Sequence, residues 1–124
     1  MTAPRLGKVQ LRIMQILWER GRASAREITE ELAPQERLAH STVQTLLRKL
    51  EAKGAVRHEV EDRTFVFYPL YREQEVAANA ARDLLDRVFH GSLSGLVAHF
   101  LKNERVSREE LAQLRRLIEE EVQE

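Results

Sequence analysis

The segment STVQTLLRKLEAKG, residues 41–54, limits the possible folds more than any other part of the chain. Read as a helix, with 100° of rotation per residue, it gathers its apolar side chains within about 100° of one another, as a single stripe. These side chains are Val43, Leu46, Leu47 and Leu50. The opposite face carries short polar and basic side chains. The apolar stripe of such a helix has to pack against a hydrophobic core, and its polar face then contacts water or a partner.

Two further helices are predicted before this segment, and they would supply that core. The first covers RLGKVQLRIMQILWERG, residues 5–21, where apolar residues recur at helical spacing and Gly21 ends the helix. The second begins near Ser24, because Ser24 and Glu27 have the spacing of a capping box, and Pro34 follows its end. The segment 41–54 is then the third helix.

A β-hairpin is predicted next, in AVRHEVEDRTFVFYPL, residues 55–70. Apolar and polar residues alternate before a charged tip at Asp62 and Arg63, and the aromatic run FVFY follows it. Three helices followed by a hairpin are the element order of a winged helix-turn-helix. We therefore expect a mainly α fold with a small β-hairpin wing, in which residues 1–70 form a DNA-binding domain.

Residues 71–124 are predicted to form three helices. Their apolar residues are too many for one short helix hairpin to hide, and the small Ala77, Ala80 and Ala81 would let another helix approach closely. We therefore predict a three-helix region that makes a homodimer, although these faces could instead pack on the N-terminal domain of a monomer. The expected interface residues are Val76, Ala77, Ala80, Ala81, Leu84, Leu85, Val88, Leu114 and Ile118.

Composition narrows the possible functions further. The net charge is zero, but residues 1–70 carry twelve Lys and Arg against nine Asp and Glu, and residues 71–124 carry eight against eleven. The chain has no cysteine, no apolar run of the ~20 residues that span a bilayer and no signal-type N-terminus, so we expect a cytoplasmic protein without membrane insertion. Four scattered histidines and no catalytic motif predict no metal, no cofactor and no enzyme.

The polar face of the third helix is the predicted contact with double-stranded DNA. Short side chains near its start would let the backbone approach base edges, Gln44 can pair with adenine, and Arg48 can pair with guanine. The predicted base-reading residues are Ser41, Thr42, Gln44, Thr45 and Arg48, and those expected at the DNA backbone are His40, Lys49, Lys53 and Arg63. A solvated face, a protein-docking winged helix and a repressor with a small-molecule pocket between its domains are the alternatives.

Four segments together carry a resemblance to a known family. LRIMQILWERGRASAREITEEL, STVQTLLRKLEAKG, RTFVFYPL and SLSGLVAHFLKN resemble, in this order, the penicillinase-repressor (BlaI/MecI/CopY) family. The resemblance implies a homodimeric repressor that occupies a palindromic operator through its N-terminal winged helix and dimerises through its C-terminal helices. It also implies that a membrane sensor-protease, or its pathway, relieves repression by cutting the dimerisation region.

The implied cut site is only partly matched. In the β-lactam-responsive members the cut falls at an Asn-Phe bond, and the matching pair here is His99-Phe100, which lacks the Asn. Our preferred interpretation of Phe100 is a core residue of the fifth helix. The copper-responsive members carry a cysteine-rich tail, which this chain lacks.

Overall fold

The structure of the chain is a computed structural model that describes residues 3–122, and these form six helices and three strands. The elements of the N-terminal part are α1 (Lys8–Arg20), β1 (Ala23–Ser24), α2 (Ala25–Leu32), α3 (His40–Ala52), β2 (Val56–Glu61) and β3 (Thr64–Pro69). The remaining elements are α4 (Glu73–Val88), α5 (Leu93–Asn103) and α6 (Arg108–Val122). The predicted mainly α fold with a small hairpin is confirmed.

The apolar stripe of α3 is completely buried along its centre. Val43, Leu47 and Leu50 expose 0% of their surface, while Leu46 lies half-buried at the edge of the stripe. The large side chains that are wholly buried around them are Ile13, Met14 and Leu17 of α1, Ile28 and Leu32 of α2, and Val56 of β2. Burying one such side chain contributes about 1.5–3 kcal/mol, so the stripe fixes the rotation of α3 and turns its polar face outward.

Local capping interactions set the starts of α1 and α2. The hydroxyl Oγ of Ser24 accepts from the N–H of Glu27 at 3.2 Å, and Oε1 of Glu27 accepts from the N–H of Ser24 at 2.9 Å, which confirms the capping box. Helix α1 begins at Lys8 and not at residue 5. The reason is that Gly7 has an extended backbone and donates its N–H to Oε1 of Gln10 at 3.0 Å.

The sheet has three antiparallel strands in the order β1-β3-β2. Strands β2 and β3 form the predicted hairpin, with Glu61 opposite Thr64 and a two-residue tip at Asp62 and Arg63. Both tip residues have positive φ, 48° and 66°, as the tight turns that match the twist of a hairpin require. Strand β1 was not predicted, because two residues are too short to show an alternation.

Two compact units divide the chain, the first ending at Ala81 and the second beginning at Arg82, so both contain part of α4. In the first unit, Nε1 of Trp18 donates to the carbonyl oxygen of Tyr71 at 2.7 Å, and Nδ2 of Asn79 donates to the carbonyl oxygen of Ala3 at 2.8 Å. These bonds hold the start of α4 to the first unit. The functional division between residues 1–70 and 71–124 stays a prediction.

The second unit contains the end of α4 and the helices α5 and α6. Helix α4 ends before His90 and Gly91, whose φ values are positive, and the Ser92 hydroxyl caps α5 by accepting from the N–H of Gly95 at 2.9 Å. The Ser107 hydroxyl accepts from the N–H of Glu110 at 3.0 Å at the start of α6. None of the described residues of α5 or α6 is fully buried. Across residues 3–122, no helix has the length and apolar character that crossing a membrane requires.

Candidate nucleic-acid interface

The outer face of α3 is exposed over its whole length. The exposed polar and basic side chains are His40, Ser41, Thr42, Gln44, Thr45, Arg48 and Lys49, and five of these seven are the predicted base-reading residues. Thr45 donates its hydroxyl to the carbonyl oxygen of Ser41 at 3.0 Å and accepts from Nη2 of Arg48 at 3.4 Å. The guanidinium of Arg48 is therefore directed along the helix, towards the short side chains near its start.

A cleft with a volume of about 520 Å³ lies between the first turn of α2, the outer face of α3 and the hairpin. Its lining residues are Ser24, Ala25, Arg26, His40, Gln44, Arg48, Arg63, Thr64, Phe65 and Phe67. The cleft therefore brings together four of the predicted residues, two from the base-reading set and two from the backbone set. Three arginines from three different elements line it, and no Asp or Glu is among the lining residues.

Sequence reasoning missed one of these arginines, Arg26. Its side chain is exposed in the first turn of α2, and the sequence pattern gave it no role because it belongs neither to the third helix nor to the hairpin. A cation two residues after an N-cap serine is the signal that could have identified it, since the helix dipole makes that position unfavourable for positive charge.

The predicted backbone-contact residues have different surroundings. His40 is the first residue of α3, and its Nδ1 lies 3.5 Å from the hydroxyl of Thr29. Arg63 is exposed at the tip of the hairpin. Lys53 donates its ammonium to the carbonyl oxygen of Arg5 and to Oε1 of Gln10, each at 3.0 Å, so it already holds the segment before α1.

A histidine joins the hairpin to α3. Nδ1 of His58 lies 2.8 Å from each carboxylate oxygen of Glu51, near the end of α3. The imidazole stacks on the ring of Phe65, with centroids 4.1 Å apart and planes 15° apart. Near the tip, two guanidinium nitrogens of Arg22 contact the Glu61 carboxylate at 2.8 and 2.9 Å. These contacts fix the hairpin against the helices and so shape the cleft.

Two carboxylates of α2 are held by an arginine of α1. Arg20 contacts Glu27 at 2.6 Å and Glu31 at 2.8 Å. The hydrogen bond from the Ser24 N–H lowers the pKa of Glu27 below its ordinary value, and Arg20 acts in the same direction. The hydrogen bond to Glu31 raises the pKa of Arg20. Neither carboxylate lines the cleft.

The predicted dimer residues are mostly exposed. Val76 differs from the others because it is buried within the first unit, with 8% of its surface exposed. Leu85 and Leu114 are half-buried, and the exposed residues are Ala77, Ala80, Ala81, Leu84, Val88 and Ile118.

The implied cut site lies inside α5. The rings of His99 and Phe100 are 5.9 Å apart, and Phe89 packs on His99 at 5.8 Å. Phe100 exposes 48% of its surface, so the expectation that it is a core residue is wrong for the single chain, in which no residue of α5 is fully buried. Within residues 3–122, no group of three or more His, Cys, Asp or Glu is placed to hold a metal ion.

Comparisons with known proteins show which family and which solved structures this chain resembles. A family model described as penicillinase repressor matches residues 6–120. The penicillinase repressor of Bacillus licheniformis is 31% identical over 117 residues, which cover 94% of this chain and 91% of that protein. The solved DNA-binding domain of the repressor BlaI covers 60% of this chain and 93% of its own, at 30% identity and a TM-score of 0.53. A Bacillus licheniformis BlaI monomer in complex with the blaP half-operator matches at the same identity and coverage, with a TM-score of 0.52.

Proposed function

The chain belongs to the penicillinase repressor family, a family of transcriptional repressors and not of enzymes, and from this premise we propose that it represses transcription as a homodimer bound to a palindromic DNA operator. The observation that carries the proposal is the cleft between α3 and the hairpin. It is lined by predicted base-reading and backbone-contact residues, and no Asp or Glu is among its lining residues. A relative that is similar over the same fold binds a half-operator. We place the protein in the cytoplasm, together with its operator.

Helix α3 supplies the base contacts in this proposal. Because Val43, Leu47 and Leu50 of its apolar stripe are completely buried, the helix has one orientation, with its polar face towards the major groove. Ser41, Thr42 and Thr45 are short and let the helix approach the base edges. Gln44 then pairs with an adenine, and Arg48, oriented by Thr45, pairs with a guanine.

The DNA backbone is held from the two sides of α3. His40 at the start of the helix, Lys49 on its outer face and Arg63 at the hairpin tip are exposed and can reach phosphates. Lys53 belongs to this set only if DNA displaces its bonds to Arg5 and Gln10. Phosphate contacts of this kind add affinity without sequence information.

The helices beyond Ala81 supply the dimer interface. Leu84 and Val88 of α4 expose 47% and 58% of their surface, and Ile118 of α6 exposes 54%. Large apolar side chains exposed along three successive helices are typical of a surface that a second copy covers. A two-fold dimer presents two α3 helices to the DNA, and this arrangement requires a palindromic site. Val76 supports this interface only indirectly, because it is already buried.

Relief of repression by proteolysis is the last part of the proposal. A cut within α5, at or near His99-Phe100, by a membrane sensor-protease or its pathway would separate α6 from α4. The two chains would then lose part of their shared apolar surface, and the weakened dimer would release the operator.

The experiment that tests the proposed function is a selection from a random duplex pool with the purified protein. Fluorescence anisotropy of the selected duplex then follows binding across a salt series, with a scrambled duplex and a single half-site as controls. We expect an enriched palindrome whose affinity falls steeply as salt rises. Weak binding without enrichment would contradict DNA recognition and favour a protein-docking module.

A further inference from the structure

The first turn of α2 carries an exposed arginine, Arg26, which has no part in the DNA contacts proposed for α3 and the hairpin. We propose that Arg26 is a third anchor for DNA, which binds a backbone phosphate seated in the cleft between α2, α3 and the hairpin. This inference rests on the proposed function, and it adds a contact from α2 that neither the base-reading helix nor the wing supplies.

The position of Arg26 is unfavourable in the protein alone. It is the second residue of α2, where the helix dipole presents positive charge, and acidic side chains are preferred at such positions. Arg26 is in no ion pair of the described residues, whereas Arg20 and Arg22 on the neighbouring segments each contact a carboxylate at 2.6–2.9 Å. An anion in the cleft would balance both the positive end of the helix dipole and the positive charge of the unpaired Arg26 guanidinium.

Of the carboxylates of α2 near this position, Glu27 and Glu31 are bound by other groups, and Glu30, one turn after Arg26, forms no ion pair with it among the described residues. Glu27 follows Arg26 directly, but its two oxygens accept from the Ser24 N–H and from Arg20. Glu31, one turn later, also contacts Arg20. The positive charge of Arg26 is therefore left to the cleft, where Arg48 and Arg63 add two more cations from other elements.

The occupant that fits this cleft is a sugar–phosphate strand. Arg26 lines it together with Gln44 and Arg48, so a duplex read by α3 would pass the same surface. The guanidinium group is suited to phosphate because its planar donors can bind two oxygens at once. Phe65, which is half exposed in the cleft, offers an apolar surface for a deoxyribose ring.

The test compares Arg26→Gln with Arg57→Gln in the full-length protein. Both substitutions remove one positive charge from an exposed side chain of the first unit. Arg57 lies on β2 opposite Tyr68, with its guanidinium 5.9 Å from that ring, and this face of the sheet is opposite to the one that carries Phe65 and Phe67. Arg57→Gln therefore controls for net charge.

We expect Arg26→Gln to weaken binding of both the selected and the scrambled duplex by about tenfold at moderate salt. The slope of log affinity against log salt should become less steep by about 1, while the base preference of the selected site stays the same. Arg26→Lys should keep the salt slope, because it keeps the charge. Arg57→Gln should leave the affinity within about twofold of wild type.

Duplexes with single neutral methylphosphonates identify the phosphate itself. One position in each half-site should weaken wild-type binding and have no further effect on Arg26→Gln. If Arg26→Gln shows the same salt slope and the same response to methylphosphonates as Arg57→Gln, then Arg26 binds no phosphate. The proposed function would still stand in that case. If the wild-type protein shows no salt-dependent binding to any duplex, both proposals are wrong.

Discussion

Two neighbouring residues of α3, Arg48 and Lys49, have different expected roles in DNA binding. Both are exposed, but Arg48 lines the cleft and is held by the Thr45 hydroxyl, whereas Lys49 lies outside the cleft. A guanidinium held in place can pair with one base, and a flexible ammonium supplies charge to a phosphate. We therefore expect the two substitutions to separate specificity from affinity.

Arg48→Ala should cost about 1–3 kcal/mol of binding free energy and relax the preference at one base pair of each half-site. Lys49→Ala should weaken binding to all duplexes alike and reduce the salt slope by about 1. Anisotropy against a panel of single-base variants of the selected operator measures both effects. An unchanged base preference in Arg48→Ala would remove Arg48 from the reading role.

Glu27 should make the folded state sensitive to acid. The Ser24 N–H and Arg20 lower its pKa in the folded protein below the ordinary value of 4.5. Its ionised form therefore stabilises the fold above pH 4.5, and this contribution is lost as the pH falls towards the lowered folded value. Glu27→Gln should be less stable than wild type at pH 7, and the difference should shrink below pH 4.5.

Urea unfolding at several pH values measures this difference in the free energy of unfolding. Glu30→Gln removes the same charge from the exposed side of α2 without touching Ser24 or Arg20, and it serves as the control. A constant difference between Glu27→Gln and wild type from pH 7 to below 4 would contradict the assigned role.

At the scale of elements, the hairpin tip combines an unfavourable conformation with a functional charge. Arg63 has a φ of 66°, a left-handed conformation that costs about 1–2 kcal/mol for a side chain with a Cβ. Arg63→Gly should therefore raise the free energy of unfolding by about 0.5–1 kcal/mol, since the flexibility of glycine offsets part of the gain.

The same substitution should weaken duplex binding and lower its salt slope, because it removes a phosphate contact. Arg63→Lys is the matched control, which keeps the charge and the strain and should bind nearly as well as wild type. Urea unfolding measures the expected gain in stability, and anisotropy measures the expected loss of DNA affinity. A glycine variant that binds DNA as tightly as wild type would show that the tip makes no contact.

Patterns within one element were predictable, and contacts between elements were not. The spacing of Val43, Leu47 and Leu50 was sufficient to orient α3, because apolar residues that recur at helical spacing lie on one face, and that face is the buried one. The contact between His58 and Glu51 was not predicted, since it depends on the angle at which β2 leaves α3. Strand β1 was missed because two residues are too short to show an alternation. The position of Arg26 beside the cleft was missed because it depends on how α2 packs beside α3 and the hairpin.

At the scale of the whole molecule, charge and apolar surface are distributed unequally along the chain. Residues 1–70 have an excess of three positive charges and residues 71–124 an excess of three negative charges, so a net charge of zero does not argue against DNA binding. Large exposed apolar side chains are concentrated after Ala81, and they are Leu84, Val88, Leu93, Phe100, Leu101, Leu111, Leu117, Ile118 and Val122. The N-terminal part of the chain is thus suited to a polyanion, and we expect a second copy to cover the apolar side chains after Ala81.

Dimerisation should therefore be separable from DNA contact. We expect Leu84→Glu combined with Val88→Glu to give a monomer, because charges would have to be buried on the apolar side of α4. Binding to the palindrome should fall by about 100-fold or more, since the two half-sites are then bound independently, while binding to a single half-site stays unchanged. Sedimentation equilibrium and anisotropy measure the two effects.

Arg82→Glu is the matched control, because it changes the net charge by the same amount and lies about 160° around the helix from Leu84. It should stay dimeric and bind the palindrome nearly as wild type does. If the double variant remains dimeric, the interface lies on α5 and α6 without α4. The double variant could also be monomeric and still bind the palindrome as tightly as wild type. The preference for a palindrome would then come from contacts between two monomers that form only on DNA, and the exposed apolar faces would have another partner.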